Sequence, residues 1–195
     1  MAPTLDGDVL TVLARAERAL TGRAIERETR SSHGGVQRAL DHLVSEGIVS
    51  RERAGRAYLY RLNREHLAAS WIEGLATLRL QLIDRLRESI GEWEIEPAAS
   101  VLFGSAARDE ADTASDLDLL MIRPQGVDAE SAVWRAQLME IQEAVSGWTG
   151  NDVRVLEYGE EEIGAREPVL DDAALEGIEL HGSLRQLLAR RLRRR

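Results

Sequence analysis

The sequence has neither cysteine nor lysine among its 195 residues. The absence of cysteine excludes a disulfide scaffold, a thiolate metal site and a thiol nucleophile. Aromatic residues make up only 4% of the chain, and no apolar run approaches the roughly 20 residues that a membrane helix needs. The first segment carries Asp6 and Asp8 where a signal peptide would need an apolar stretch, so we expect a cytoplasmic protein.

The net charge of −9 is distributed unevenly along the chain. Residues 1–65 hold 11 arginines against 9 acidic residues, a net +2, whereas residues 66–195 hold 14 against 25, a net −11. With 44% hydrophobic and 30% charged residues, most of the chain is expected to fold. The charge difference indicates that the two parts do different jobs.

Apolar residues at intervals of three and four predict three helices in the first part. The first is expected from Asp8 to Leu20 and the second from Arg23 to about Thr29. Ser31 and Ser32 can cap a third helix, which should end at Gly47. Two strand-like runs around Ala54-Gly55 then predict a hairpin.

Three helices and a hairpin make a winged helix-turn-helix. The segment resembles the winged-helix DNA-binding domains of bacterial transcription regulators over about a third of the chain. The resemblance lies in the runs Leu-Thr-Gly-Arg, Ser-His-Gly-Gly-Val-Gln-Arg-Ala-Leu and Leu-Val-Ser-Glu-Gly-Ile-Val.

The polar side chains of this segment predict contact with double-stranded DNA. Such motifs insert the N-terminal end of the third helix into the major groove, where Gln and Arg can read base edges. Arginines at the hairpin tip would meet phosphates or the minor groove. The alternative is an ordinary solvated surface on a winged helix that contacts protein. The candidate DNA-binding residues are Ser32, His33, Gln37 and Arg38 on the helix and Arg51, Arg53 and Arg56 on the hairpin.

A long amphipathic helix is predicted from Glu65 to Ile90. Its single apolar face must pack on the second domain, on the winged helix or on its copy in another subunit. Because winged-helix regulators usually read pseudo-palindromes as two-fold dimers, we expect a homodimer. The face consists of Leu67, Trp71, Leu75, Leu78, Leu82, Leu86 and Ile90. The predicted domains are residues 1–65, a connector at 66–96, and 97–195.

Residues 100–122 predict a site for phosphate and a metal ion. A buried strand, Val101 to Phe103, runs into Gly104-Ser105, where the backbone can approach an anion. Asp116 and Asp118 alternate in the next strand, so both carboxylates project from one face. Two carboxylates beside a phosphate site suit Mg²⁺.

This segment resembles the nucleotidyltransferase superfamily related to DNA polymerase beta, in particular its minimal bacterial members. The shared signature is Gly-Ser, ten residues, then Asp-x-Asp, and Gly104-Ser105 and Asp116-Leu-Asp118 match it in spacing. The resemblance, over roughly residues 97–182, implies that Gly104 and Ser105 hold the phosphates of a nucleoside triphosphate. It also implies Mg²⁺ on Asp116 and Asp118, a phosphate contact for Arg108, and transfer of the nucleotide with loss of pyrophosphate.

Family members that transfer nucleotides usually add a third carboxylate from a later strand. In this chain the residue between Val153 and Val155 is Arg154. Asp152 lies on the same face one pleat earlier and would supply the ligand if the strand were shifted in register. Otherwise Arg154 would form a salt bridge in the place of a second cation.

Taken together, the patterns predict an α+β protein of two domains, with a mixed-sheet nucleotidyltransferase-like domain after the winged helix. We expect a DNA-binding transcription regulator whose second domain binds a magnesium-bound nucleoside triphosphate. The alternative is an active metal-dependent nucleotidyltransferase that modifies a protein or nucleic-acid partner, as an antitoxin would. For that reaction the catalytic residues would be Asp116, Asp118 and Asp152.

Overall fold

A computed structural model describes residues 4–104, 107, 116–163 and 167–192. The chain divides into two compact units, Met1–Gln81 and Leu82–Arg195. In the described part of the chain, no helix combines the length and the hydropathy that crossing a bilayer requires.

The first unit opens with three helices whose starts are fixed by side-chain caps. Thr4, Thr21 and Ser32 accept hydrogen bonds from the backbone N–H groups of Gly7, Ala24 and Gly35, respectively. Such caps satisfy N–H groups that have no partner within the helix. The helices are α1 (Leu5–Arg15), α2 (Gly22–Thr29) and α3 (His33–Ser45).

A three-stranded sheet completes the winged helix. Its strands are β1 (Leu20–Thr21), β2 (Val49–Ala54) and β3 (Ala57–Leu62), in the order β1-β3-β2. The predicted hairpin joins β2 to β3, and its turn places Gly55 at φ +62°, in the left-handed region that favours glycine. The unit packs around one core that includes Val9, Ile25, Leu40 and Leu62.

The first helix ends earlier than its apolar pattern predicts. α1 stops at Arg15, and Ala16 is already extended, with φ −80° and ψ 124°. Leu20 pairs instead with Tyr60 in antiparallel register. The prediction of a helix to Leu20 is therefore wrong, because pairing with β3 holds this residue in a strand.

The predicted long connector is two helices rather than one. These are α4 (Ala69–Ala76) and α5 (Leu78–Gly91). They are separated by Thr77, whose φ of −104° and ψ of 2° leave the helical region. The Thr77 hydroxyl donates to the carbonyl oxygens of Glu73 and Gly74, each at 3.0 Å. A side chain that bonds to the backbone in this way competes with helix continuation.

The second unit is built on a four-stranded mixed sheet in the order β6-β5-β4-β7. β4 pairs antiparallel with β5 and β7, whereas β5 and β6 are parallel. The strands are β4 (Ala99–Phe103), β5 (Leu117–Arg123), β6 (Val153–Gly159) and β7 (Ile178–Gly182). The α+β, two-domain class is confirmed.

Helices cover both faces of this sheet. On one face, Leu119 and Met121 of β5 pack with Leu86 of α5 and with Trp134 and Ile141 of the next helix. On the other face, a second core joins the sheet to the last two helices. The helix that carries Trp134 and Ile141 is α6 (Ala132–Thr149), and the last two helices are α7 (Pro168–Glu176) and α8 (Leu184–Leu192).

Candidate nucleotide-binding site and DNA interface

The two aspartates lie at the N-terminal end of β5, a strand that is otherwise buried on both faces. Leu117 and Leu119 belong to one core and Leu120 to the other. Asp118 is half-buried, and Asp116, just before the strand, is exposed. Because side chains alternate along a strand, the two carboxylates project from the face that carries Leu120.

Gly104 lies directly against the second aspartate. Phe103 of β4 pairs with Asp118 of β5, so the chain turns away from the sheet beside this carboxylate. Gly104 has φ +74°, and a Cβ added to it would lie 2.6 Å from Oδ2 of Asp118. The turn therefore favours glycine for two reasons, a left-handed backbone and the space that the carboxylate takes.

The pKa of Asp118 is raised above its usual value. Burial is the largest cause, the Arg154 guanidinium acts in the opposite direction, and the Asp116 carboxylate adds to the rise. A carboxylate that is poorly solvated and faces a like charge gains from a bound cation, which favours its ionised form.

Arg154 joins the same face from the neighbouring strand. In the parallel register of β5 and β6, Asp118 lies beside Arg154. Nη2 of Arg154 is 3.4 Å from Oδ2 of Asp116. Of the two arrangements that the sequence left open, Asp152 as a third ligand or Arg154 in a salt bridge, the salt bridge of Arg154 is present.

Asp152 is held near this end of the sheet through its backbone. Its carbonyl oxygen accepts a hydrogen bond of 2.9 Å from the N–H of Leu117, and its side chain is exposed. Within the described ranges, no three His, Asp or Glu side chains are grouped as a metal site would require. The structure thus does not bring Asp152 into a three-carboxylate cluster with Asp116 and Asp118.

The chemistry of the donor set fits one hard divalent cation. Two carboxylates are ligands that Mg²⁺ accepts, and Mg²⁺ commonly completes its shell with water and substrate phosphates. Gly104 leaves the space beside Asp118 free of a side chain. The other two predicted phosphate-binding residues, Ser105 and Arg108, lie outside the described residues.

The N-terminal end of α3 presents the predicted base-reading side chains. Ser32 is the cap itself, so its hydroxyl accepts from Gly35 at 3.3 Å. His33, the first residue of the helix, is exposed and its Nδ1 lies 2.5 Å from Oε1 of Glu26 in α2. Arg38 is exposed further along the helix.

The Asp41 carboxylate binds the side chains of two predicted DNA-contact residues. Oδ1 of Asp41 accepts a hydrogen bond of 3.1 Å from Nε2 of Gln37 and another of 3.1 Å from Nη1 of Arg51. The guanidinium of Arg51 also lies over the Tyr58 ring, 4.9 Å from its centroid. Asp41 therefore links the helix to the hairpin.

The hairpin tip carries the remaining arginines. Arg53 donates from Nε to the carbonyl oxygen of Gly55 at 3.3 Å, and Arg56 follows this glycine in the turn. Both side chains are exposed, as the DNA prediction requires.

Sequence reasoning missed Asp41 and Glu26 as partners of the predicted DNA-contact residues. The spacing of Gln37 and Asp41, four positions apart on one helix, was a signal for the first, because such pairs face each other. The contact of Glu26 with His33 joins two helices and has no comparable local signal.

A winged helix-turn-helix and a mixed sheet with Asp-x-Asp at the N-terminal end of an inner strand define the class: a DNA-binding domain fused to a nucleotidyltransferase domain. The model of the nucleotidyltransferase domain family matches residues 83–185, more than half of the sequence, and the chain belongs to this family. The model of the MarR family matches residues 3–57. The first unit is thus a MarR-family winged-helix domain.

Solved structures show low overall similarity. A mutant of ZitR from Lactococcus lactis is 22% identical with a TM-score of 0.37, over 45% of this chain and 60% of ZitR. A toxin–antitoxin complex with AMP-PNP is 14% identical with a TM-score of 0.40, over 55% of this chain and 78% of that one. A mutant of the toxin–antitoxin pair MntA–HpeT is 15% identical with a TM-score of 0.36, over 57% and 78%. This chain therefore spans less than two thirds of the length of ZitR. A comparison with curated proteins finds no significant match.

Proposed function

We propose that the protein is a DNA-binding transcription regulator whose second unit binds a magnesium-bound nucleoside triphosphate. The observation that carries the nucleotide part is the juxtaposition of Gly104 and Asp118, with Asp116 on the same face. A tight glycine turn beside a carboxylate pair is suited to a phosphate chain that carries its own cation. The match to the nucleotidyltransferase domain supports the same ligand class.

The residues have separate roles in this proposal. Asp116 and Asp118 hold Mg²⁺, and the ion, when bound, neutralises charge on the phosphates. Gly104 and Ser105 contact the phosphates through the backbone, and Arg108 contributes a positive charge.

In the proposed complex with DNA, α3 reads the bases and the hairpin contacts the phosphate backbone of the DNA. Ser32, His33, Gln37 and Arg38 lie at the N-cap and in the N-terminal half of α3, and such motifs insert the N-terminal end of this helix into the major groove. Arg51, Arg53 and Arg56 would contact phosphates or the minor groove. The net +2 of residues 1–65, against −11 for the remainder, favours this unit as the one that meets DNA.

The homodimer remains part of the proposal, with a second copy of the chain seated on the exposed apolar strip of the first unit. The strip is defined by four exposed apolar residues that are spaced three or four apart in the sequence, from the segment before α4 to the start of α5. They are Leu67, Trp71, Leu75 and Leu78, which are 93%, 76%, 46% and 54% exposed. One winged helix reads one half-site, so a two-fold site requires two copies. An exposed apolar strip of this kind is typical of an interface.

Sedimentation tests the dimer. The protein is expected to be dimeric at micromolar concentration, and Trp71→Glu to shift it to monomer, because a charge would be buried at the interface. Leu80→Glu is the matched control, since Leu80 is 60% exposed but outside the strip. A monomeric wild type would contradict the dimer.

Labelled nucleotide distinguishes binding from transfer. Each of the four α-³²P nucleoside triphosphates is incubated with Mg²⁺, protein and candidate acceptors, and retained label is compared before and after denaturation. We expect label that the folded protein retains and the denatured protein releases, and loss of retention in the Asp116→Ala, Asp118→Ala double variant. Label that survives denaturation and is lost in the variant would favour the nucleotidyltransferase alternative.

A further inference from the structure

The carboxylate pair at the start of β5 lies next to a fixed positive charge. Arg154 lies beside Asp118 in the parallel register, and its Nη2 is 3.4 Å from Oδ2 of Asp116. An arginine side chain stays protonated in proteins, so this charge is permanent. The Arg154 side chain is 64% exposed, which leaves it room to change partners.

A second divalent cation would compete with this guanidinium. Two-metal sites place their ions about 3.5–4 Å apart and clamp the same phosphate between them. Such an ion would need Asp116, where Arg154 is already at ion-pair distance. In residues 4–104, 107, 116–163 and 167–192 no third acidic or histidine side chain completes a group around the pair.

We propose that Arg154 takes the place of the second cation, so that the site binds a nucleoside triphosphate with one divalent ion and one arginine. This inference rests on the proposed nucleotide binding. In the free protein, Arg154 pairs with Asp116. When the triphosphate binds, the guanidinium turns to a phosphate oxygen, a partner that suits its planar array of donors, and the divalent ion occupies the carboxylates.

The number of metal ions retained per nucleotide tests the inference. Equilibrium dialysis with Mn²⁺ and the α,β-methylene analogues of ATP and GTP, run in parallel, gives the ratio of protein-bound Mn²⁺ to protein-bound nucleotide. We expect a ratio of one for the wild type and for Arg154→Lys. For Arg154→Asp we expect a ratio of two, because the charge is reversed beside Asp118. Arg87→Ala is the matched control, since it removes another exposed arginine paired with an aspartate, Asp84, and should leave the ratio at one.

A second variant covers the case in which Arg154→Asp does not fold. Arg154→Ala removes the guanidinium without introducing a negative charge and should weaken nucleotide binding about tenfold or more, the usual effect of losing a hydrogen bond to a charged group. Unchanged affinity in this variant would overturn the inference.

The outcomes separate the inference from the proposed function. A ratio of two in the wild type, or of one in a folded Arg154→Asp variant, would overturn the role of Arg154 and leave nucleotide binding intact. No retention of either analogue, with or without Mn²⁺, would overturn the proposed nucleotide binding and the inference together.

Discussion

At Gly104 the backbone adopts a left-handed conformation that is strained for any residue with a side chain. The Asp118 carboxylate also occupies the space in which a Cβ would lie. The φ of Gly104 is +74°, and the hypothetical Cβ would be 2.6 Å from Asp118. The turn and the aspartate therefore form one unit. A change at Gly104 is expected to displace Asp118, the proposed metal ligand, as well as the backbone that is proposed to bind phosphate.

Gly104→Ala is expected to lower the free energy of unfolding by about 1–2 kcal/mol, the cost of a left-handed alanine, and to abolish nucleotide binding. Gly126→Ala is the matched control, because Gly126 has φ +85° but nothing within 4 Å of its added Cβ. The control should lose similar stability and keep nucleotide binding. Chemical denaturation and fluorescent-nucleotide titration measure the two effects, and equal nucleotide affinity in both variants would contradict the role of Gly104.

Asp118 makes stability depend on pH. Because its pKa is raised in the folded state, mainly by burial, the folded protein binds this proton more tightly than the unfolded chain. Stability is therefore lost as the pH rises from the unfolded pKa of 3.8 through the raised value. At neutral pH the free energy of unfolding is therefore lower than it would be with this carboxyl group protonated.

Asp118→Asn is expected to raise the melting temperature by about 1–3 °C at pH 7 without Mg²⁺, because the amide carries no charge. The gain should shrink as the pH falls toward 4. Differential scanning calorimetry in EDTA measures this, with Asp172→Asn on exposed α7 surface as the control. A lower melting temperature for Asp118→Asn at pH 7 would show that attraction to Arg154 outweighs burial.

The residue pairs of the site were only partly predictable. The spacing of Gly104 and Asp118 in the sequence indicated a shared site, because a known motif has that spacing. Whether Arg154 or Asp152 faces the aspartates depends on the register of β5 and β6, which the hydrophobic pattern of two short strands does not determine. The observed register places Arg154 beside Asp118.

On the scale of elements, we expect α3 and the hairpin to divide DNA recognition between them. Arg38 projects from the helix and Arg53 from β2 near the hairpin tip. Arg38→Ala is expected to relax sequence preference, at about 1–3 kcal/mol for the base it reads, whereas Arg53→Ala should weaken binding to all duplexes similarly. Binding selections followed by fluorescence anisotropy across salt concentrations compare the two, and equal losses on all duplexes would contradict the division.

The junction of helix and hairpin at Asp41 is expected to restrain DNA binding. Its carboxylate binds both Gln37 and Arg51 and adds a negative charge to the surface that is proposed to meet phosphates. Asp41→Ala should strengthen binding to random duplex about two- to fivefold, the range that an exposed ion pair of up to 1 kcal/mol allows. Glu46→Ala is the matched control. It also removes one negative charge, from the exposed C-terminal cap of α3, but breaks no contact with Gln37 or Arg51. If both variants gain equally in anisotropy titrations, net charge alone explains the effect.

Elements with local signals were predicted well, and those decided by tertiary pairing were not. The Ser32 cap and the Gly55 turn mark α3 and the hairpin in the sequence itself. The apolar period continues through Thr77, so nothing in it indicates the break between α4 and α5. Leu20 likewise continues the period of α1, but pairing with Tyr60 places it in a strand.

For the molecule as a whole, the uneven charge agrees with the two proposed ligand classes. The unit with the winged helix carries the arginines of the predicted DNA interface, and the acidic remainder carries the proposed site for a cation-bound anion. The predicted domain boundaries at residues 65 and 96 stay predictions. The division of the chain into two compact units falls between Gln81 and Leu82, within α5.

Isothermal titration of the four magnesium nucleoside triphosphates into the protein, alongside their effect on its melting temperature, tests whether the second unit binds a nucleotide. We expect at least one of the four to bind at about one per chain and to raise the melting temperature, and to do neither in the Asp116→Ala, Asp118→Ala double variant. Neither heat nor thermal stabilisation with any of the four, or equal binding by the folded double variant, would contradict this expectation.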